Sequence, residues 1–392
     1  MKMKKLLAIL IALVTIAAIM AVPASAAVSG AAITAVNNTV TVTKNLELTN
    51  FNAQYTKIPG LVFDFVVSPY TQGAVDGVLV PGSANTYVVY AGVGSPVVST
   101  ATGSTHTIDY SNHTFNSASE NRQSFTIDFS NVTFSRPGFY RYTLTETANT
   151  NEALGVDDAI KYDETRYFLD VYVVNDSSST TGYKVTTAIL YDSSSNSRID
   201  TAGTYSDGTV KIDTITNKYD IYHLKLTKNV KGEAGDTNNE FSFTITLTNG
   251  PKDFTTKAVV TKNGVNEEQD ITFDSNGTST VTVSLKHGDT FEAWSLPEGT
   301  TYTITETLND HDSAIYTTQY SINNGTQQTA TNATVPTQTI TENNNVTFIN
   351  NANTASPTGL FMSYGPYVLL VIAAAGLAVL FLRKRRNTAE EL

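Results

Sequence analysis

The chain of 392 residues contains no cysteine. No disulfide can staple it, so any covalent reinforcement has to come from other side chains. Tryptophan occurs once and histidine five times. The histidines, at positions 106, 113, 223, 287 and 311, lie far apart without ligand spacing, so no metal site and no cofactor is implied. Positive charge is scarce as well, with 25 Lys and Arg against 36 Asp and Glu. Setting aside three lysines near the amino terminus and the four basic and two acidic residues after Thr358 leaves 18 basic and 34 acidic residues, a net charge of −16. A body this acidic excludes nucleic acid or an anionic membrane as its partner. A hydrolase finds no support either: neither G-x-S-x-G nor H-E-x-x-H occurs, and Asp157-Asp158 falls in a loop-like run. Helical periodicity is missing from the body, and long apolar runs are confined to the two ends.

Those ends read as processing and anchoring segments. Three lysines in the first five residues precede a nearly apolar stretch from Leu6 to Val22, and Ala24-Ser25-Ala26 supplies small residues for cleavage. Residues 1–26 are therefore expected to be a secretory signal peptide. Near the other end an apolar run, 360–382, is long enough to span a bilayer, and Arg383-Lys384-Arg385-Arg386 opens a basic tail, 383–392, that would stay in the cytoplasm. Just before the run stands a short stalk, 353–359, ending in Pro357-Thr358-Gly359. This tripeptide resembles the sorting signal of Gram-positive surface proteins, the LPXTG-like motif that a sortase cuts between Thr and Gly before joining the Thr to another amine. Here the leading Leu and the residue between Pro and Thr are absent, which leaves the sortase class open.

The body is written in strand residues, Thr, Val, Tyr, Phe and Ile, broken at short intervals by Gly, Asn, Asp and Ser. Phe63–Val67, Ser124–Phe129, Arg166–Val174, Phe241–Leu247 and Thr280–Leu285 are examples. The expected fold class is all-β, with β-sandwich domains at 27–218 and 219–352 joined by very few residues. The stretch from Ser68 to Asn116, rich in Gly, Ser and Thr, reads as extended loops or added strands, the natural place for a ligand site.

One strand is anomalous. In Leu224-Lys225-Leu226-Thr227-Lys228-Asn229-Val230 the alternation of side chains puts Lys228 on the same face as Leu224, Leu226 and Val230. A buried ammonium is costly unless it is paired or discharged. The same pattern occurs much earlier, where Lys44 shares a face with Val40, Val42 and Leu46. Two further residues recur in the same order. Glu146 shares a face with Tyr142 and Leu144, as Glu306 does with Tyr302 and Ile304; Asn217 follows Ile215 by two residues, as Asn350 follows Phe348. A lone inward lysine is ordinarily an edge guard or a snorkelling stem, and Lys with Glu alone reads as a buried ion pair. The recurrence of Lys, Glu and Asn in that order favours chemistry over either reading.

A lysine amine can displace ammonia from an asparagine carboxamide to form an amide crosslink. In water the amine is protonated and the carboxamide is a poor electrophile. Burial lowers the Lys pKa and raises the Glu pKa, and the protonated Glu can polarise the carbonyl and carry the proton to the leaving ammonia. Contact supplies the effective concentration, and one turnover per domain suffices.

The patterns L-x-x-T-K-x-V, Y-x-I-x-E and F-x-N are similar to those of the isopeptide-linkage domains of Gram-positive pilins. With a signal peptide and a P-T-G tail, the whole chain looks like a two-domain backbone pilin of the streptococcal type. The resemblance implies two tandem immunoglobulin-like (CnaB/pilin-type) sandwiches crosslinked Lys44 to Asn217 with Glu146 as catalyst, and Lys228 to Asn350 with Glu306. Domain one departs in having Ile215 where an aromatic is usual. The family further implies a non-enzymatic structural protein of the cell wall, polymerised by sortase through Thr358 onto a lysine of the next subunit or onto peptidoglycan. Lys211 is the acceptor expected by analogy, with Lys161 and Lys218 as alternatives. A singly anchored adhesin using the 68–116 region to bind a host or neighbouring-cell ligand is the competing reading.

Overall fold

The computed structural model describes residues 32–70, 75–79, 86–100, 107–193, 211–352 and 367–381. The expected signal peptide, the Pro357-Thr358-Gly359 motif and the basic tail lie outside the described residues. Up to Tyr219 the strands are β1 (Ile33–Thr34), β2 (Thr39–Leu48), β3 (Val62–Pro69), β4 (Val75–Leu79), β5 (Thr86–Ala91), β6 (Val97–Thr100), β7 (Thr107–Asp109), β8 (Arg122–Asp128), β9 (Gly138–Thr147), β10 (Ile160–Lys161), β11 (Tyr167–Asn175), β12 (Tyr183–Asp192), β13 (Lys211–Ile212) and β14 (Thr214–Tyr219). Beyond it come β15 (Ile221–Lys231), β16 (Phe241–Thr248), β17 (Thr255–Lys262), β18 (Val265–Thr272), β19 (Ser279–Leu285), β20 (Thr290–Pro297), β21 (Thr301–Thr307), β22 (Tyr316–Ile322), β23 (Gln328–Thr329), β24 (Thr334–Thr339) and β25 (Asn344–Ala352), with one short helix, α1 (Asp310–Ile315).

These strands build two tandem sandwiches. In the first, a nine-stranded sheet ordered β1-β12-β11-β9-β3-β7, with β13 on β12 and the β4–β5 pair on β9, faces a five-stranded sheet ordered β10-β14-β2-β8-β6. In the second, a seven-stranded sheet ordered β18-β17-β20-β15-β25-β22-β23 faces a four-stranded one ordered β19-β16-β21-β24. Alternation explains the layering. Along β16, Phe241, Phe243, Ile245 and Leu247 are buried, while Ser242, Thr244 and Thr246 between them are only partly covered. Burying one such apolar side chain contributes about 1.5–3 kcal/mol, so facing rows of this kind hold the two sheets together.

Two features differ from a plain sandwich. The region read as loops or added strands carries β4 to β7, and β5 runs parallel to β9, widening the large sheet. Strand β9 is buried on both faces, and its outward phase holds Arg141, only 1% exposed. Arg141 Nε donates to Asp170 Oδ1 at 2.7 Å and Nη2 donates to Tyr191 Oη at 2.6 Å. Phe139, Phe168 and Ile189 pack around this group as a small second core. The outer phase of a sheet strand normally meets water, and here Asp170, Tyr191 and Phe168 of the neighbouring strands enclose Arg141.

A single residue, Asp220, lies between β14 and β15. Its carboxylate accepts from Thr49 Oγ1, while Asn50 Nδ2 donates to the Ile221 carbonyl at 2.9 Å. Lys57 N donates to Ser295 Oγ at 3.0 Å, and Tyr55 lies 5.9 Å from Trp294, ring centre to ring centre. The sandwiches therefore meet through ordered polar contacts as well as through the peptide bond. Of the apolar run near the carboxy terminus, residues 367–381 are helical and exposed. No helix among the described residues is long and apolar enough to cross a membrane.

Candidate functional site

Both lysines sit where alternation placed them, with no exposed surface, Lys44 on β2 and Lys228 on β15. The asparagines come from the last strand of each sandwich. Strand β14 runs parallel to β2 with Ile215 opposite Lys44, and β25 runs parallel to β15 with Phe348 opposite Lys228. Asn217 and Asn350 each lie two residues further on, on the same inward phase. The glutamates arrive from the opposite sheet. Glu146 on β9 pairs with Phe65 of β3, and Glu306 on β21 pairs with Phe243 of β16. Two sandwiches with different strand counts thus share one register at the site.

The carboxylate bridges amine and carboxamide in each case. Lys44 Nζ donates to Glu146 Oε2 at 2.7 Å, and Asn217 Nδ2 donates to Glu146 Oε1 at 2.5 Å. In the second sandwich Lys228 Nζ and Asn350 Nδ2 both donate to Glu306 Oε1, at 2.6 and 2.8 Å, while Thr318 Oγ1 donates to Oε2 at 3.3 Å. The carboxamide oxygens are treated differently. Asn217 Oδ1 accepts the Asp163 backbone N–H at 2.9 Å, whereas Asn350 Oδ1 is buried with no partner among the described residues.

Burial sets the electrostatics. Desolvation pulls both Lys44 and Lys228 down to about 8 from the ordinary 10.5, in each case against the opposing pull of the paired glutamate. Desolvation also pushes Glu146 above the usual carboxylate range. Both directions lower the cost of moving a proton from lysine to glutamate. Aromatic rings complete the enclosure: Lys44 Nζ lies 4.9 Å from the Phe63 ring centre and 5.5 Å from Phe65, and Lys228 Nζ lies 4.1 Å from Phe241 and 5.6 Å from Phe243. These rings exclude water and hold a cation while one is present.

The aromatic pairs belong to the candidate site and were not singled out by the sequence. Both F-x-F stretches were legible as strands; the signal was their repetition between the lysine strand and the glutamate strand. Domain one's missing aromatic is also accounted for. Phe243 meets Phe348 edge-on at 5.2 Å, while in the first sandwich, where Ile215 takes the place of Phe348 opposite the lysine, Phe65 stacks on Phe125 of β8 at 4.3 Å. The ring comes from the neighbouring strand instead.

Other expected site residues fall elsewhere. Lys211 lies on β13 with its backbone opposite Tyr191. Lys161 and Lys218 are at the junction of the sandwiches, 3.6 Å from Glu298 and 3.0 Å from Asp220 respectively. No group of three potential metal ligands occurs among the described residues. A cleft of about 940 Å³ opens between the 34–38 turn, the 129–134 loop and the 176–186 hairpin, and no described residue of the 68–116 region lines it.

Residues 40–220 match the family described as the Spy0128-like isopeptide containing domain, and residues 222–352 match a family described only as a domain of unknown function. A pilin of Streptococcus pyogenes serotype M1 is 28% identical over 354 residues, covering 88% of this chain and 90% of that protein. The crystal structure of the major pilin of Streptococcus pyogenes aligns with 81% of this chain and 99% of its own, at 22% identity and a TM-score of 0.53. The T3.2 major pilin of the same species, also 22% identical, aligns with 81% of this chain and 98% of its own at a TM-score of 0.51. The structures carry the fold, and the sequence relative and the first family carry the likeness to pilins. The resemblance drawn from the motifs holds for nearly the whole chain.

Proposed function

We propose that this chain is a structural subunit of a Gram-positive pilus backbone, stabilised by two self-formed amide crosslinks, Lys44 to Asn217 and Lys228 to Asn350. The observation that carries the crosslinks is the repeated register: lysine and asparagine on parallel neighbouring strands, two positions out of step, with a glutamate from the facing sheet touching both. Burial discharges the amine onto Glu146 or Glu306. Nζ attacks the carboxamide carbon, the carboxyl gives its proton to Nδ2, the C–Nδ2 bond breaks and ammonia leaves, while the freed carboxylate takes the second proton from Nζ. Lysine amine and asparagine amide become one secondary amide, with no outside reagent.

The function follows from where the crosslinks lie. Each ties the first long strand of a sandwich to its last, so tension entering at one end passes through the amide into the next domain and the strands between stay unloaded. Such a shaft needs no disulfide. Within this proposal residues 1–26 are a signal peptide, 27–218 and 219–352 are the two crosslinked domains, and 353–359 is the stalk that a sortase cuts after Thr358. The apolar run 360–382 and basic tail 383–392 hold the precursor in the membrane. Lys211 of a neighbouring subunit receives Thr358, and the final subunit is passed to peptidoglycan.

Intact mass tests the crosslinks, since the wild-type body should be lighter than its sequence by two molecules of ammonia, and Glu306→Ala lighter than its own sequence by only one. Full unmodified mass in the wild type sinks the proposal. Polymerisation is tested separately by boiling cell-wall extracts in detergent. A ladder supports the shaft, and a single band supports the adhesin.

A further inference from the structure

Polarising a carboxamide takes more than proton transfer. As Nζ adds to the carbon, negative charge gathers on Oδ1, and a donor already aimed at that oxygen lowers the barrier without reorganisation. In the first sandwich such a donor is present, for Asn217 Oδ1 accepts the Asp163 backbone N–H at 2.9 Å. The supporting loop is tied down independently: Asp163 Oδ2 accepts Tyr167 Oη at 2.5 Å, and Asp163 Oδ1 accepts Thr165 N at 2.9 Å. In the second sandwich Asn350 Oδ1 is buried without a donor among the described residues. Glu146 also offers separate oxygens to amine and carboxamide, so it can take a proton on Oε2 and give one from Oε1. Glu306 receives both nitrogens on Oε1, while Oε2 is engaged by Thr318.

We infer that the Asp163 backbone N–H is a catalytic oxyanion donor for the Lys44–Asn217 bond, and that the two domains cyclise at different rates, domain one first. The inference rests on the crosslinking reading above. In the step, Nζ bonds to Cγ and the carbonyl electron pair moves to Oδ1, where the Asp163 N–H meets it. One proton passes from Nζ through Glu146 to Nδ2, the carbonyl re-forms, and ammonia departs.

The experiment replaces the residue 163 amide with an ester by incorporating the α-hydroxy analogue of aspartate, which removes the donor and leaves the carboxylate. The whole chain is made by cell-free translation, sampled over time and mapped by peptide mass. The expected result is a domain-one bond slowed on the order of 10²-fold, the usual loss for one such donor, with the domain-two bond forming at the wild-type rate. Equal domain-one rates for ester and amide chains overturn the inference. So does a wild-type chain in which domain two closes as fast as domain one. Folding is checked in a Glu146→Ala background, where neither ester nor amide chain can close the bond and the ester chain should melt only slightly lower, by the loss of one hydrogen bond; if it is unfolded, the wild-type comparison of the two domains decides. A wild-type chain that loses no ammonia overturns the crosslinking reading itself, an outcome distinct from both.

Discussion

In the crosslinking proposed for both sandwiches one chemical problem is met with different surroundings, and the contrast separates what that reaction would require from what merely accompanies it. Common to both are the lysine phase, the two-residue offset of the asparagine on a parallel strand, the glutamate opposite a phenylalanine, and an F-x-F pair around the amine. Different are the strand counts, the source of the packing aromatic, the donor to the carboxamide oxygen and the division of labour between carboxylate oxygens. The shared set is what brings amine, acid and carboxamide into contact without water. In the proposed reaction the differing set would tune how well the charge is handled afterwards. The family description names an isopeptide only for the first region, yet the second carries the same constellation with its lysine nearest an aromatic ring.

Removing the acid should break the symmetry most severely. Glu306→Ala loses the crosslink and strands Lys228 without a partner. Loss of a link closing a loop of this length costs about 4–5 kcal/mol by chain entropy, and an unpaired buried charge adds about 3–5 kcal/mol. Asn350→Ala, which keeps the ion pair, should cost only the first amount. Calorimetry of the two variants checks this, and equal destabilisation would show that the bond alone matters.

A smaller effect is the pH response of the uncrosslinked domain. In Asn350→Ala the folded Lys228, at about 8, is depressed from its unfolded 10.5. The unfolded chain therefore binds the extra proton across that window, and stability should rise by about 3 kcal/mol between pH 8 and 10.5. Asn217→Ala should rise over the same window through Lys44, and should also lose stability as pH climbs above the ordinary glutamate range, because Glu146 is raised. Denaturant midpoints against pH measure both, and flat profiles would contradict the burial argument. The smallest change is Thr318→Val, which frees Glu306 Oε2. It should leave stability within about 1 kcal/mol while moving domain two's crosslinking rate toward that of domain one, as read by timed peptide mass.

Much of this was legible before any coordinates. The inward phases of Lys44, Lys228, Glu306 and Asn350 follow from period-two alternation against apolar neighbours, and each is buried as expected. Other parts were not. The 68–116 region read only as loops or added strands, since patchy alternation between Gly, Ser and Thr sets no bounds for β4 to β7, and no local pattern announces that Arg141, on the outer phase of β9, is buried against Asp170 and Tyr191. The Asp163 N–H could not be read from its side chain at all, since a backbone donor looks the same at every non-proline position.

What the sequence determined by itself was which side of each strand a residue occupies, because that depends only on neighbours one and two positions away. Tertiary structure alone decided that β2 would lie parallel to β14, and β15 to β25, with the asparagine two residues past the lysine's partner. Those pairings join segments more than a hundred residues apart, where register is set by the fit of two whole sheets rather than by any local preference. The same fit decides which oxygen of which carboxyl meets the amine, and so separates one domain's chemistry from the other's.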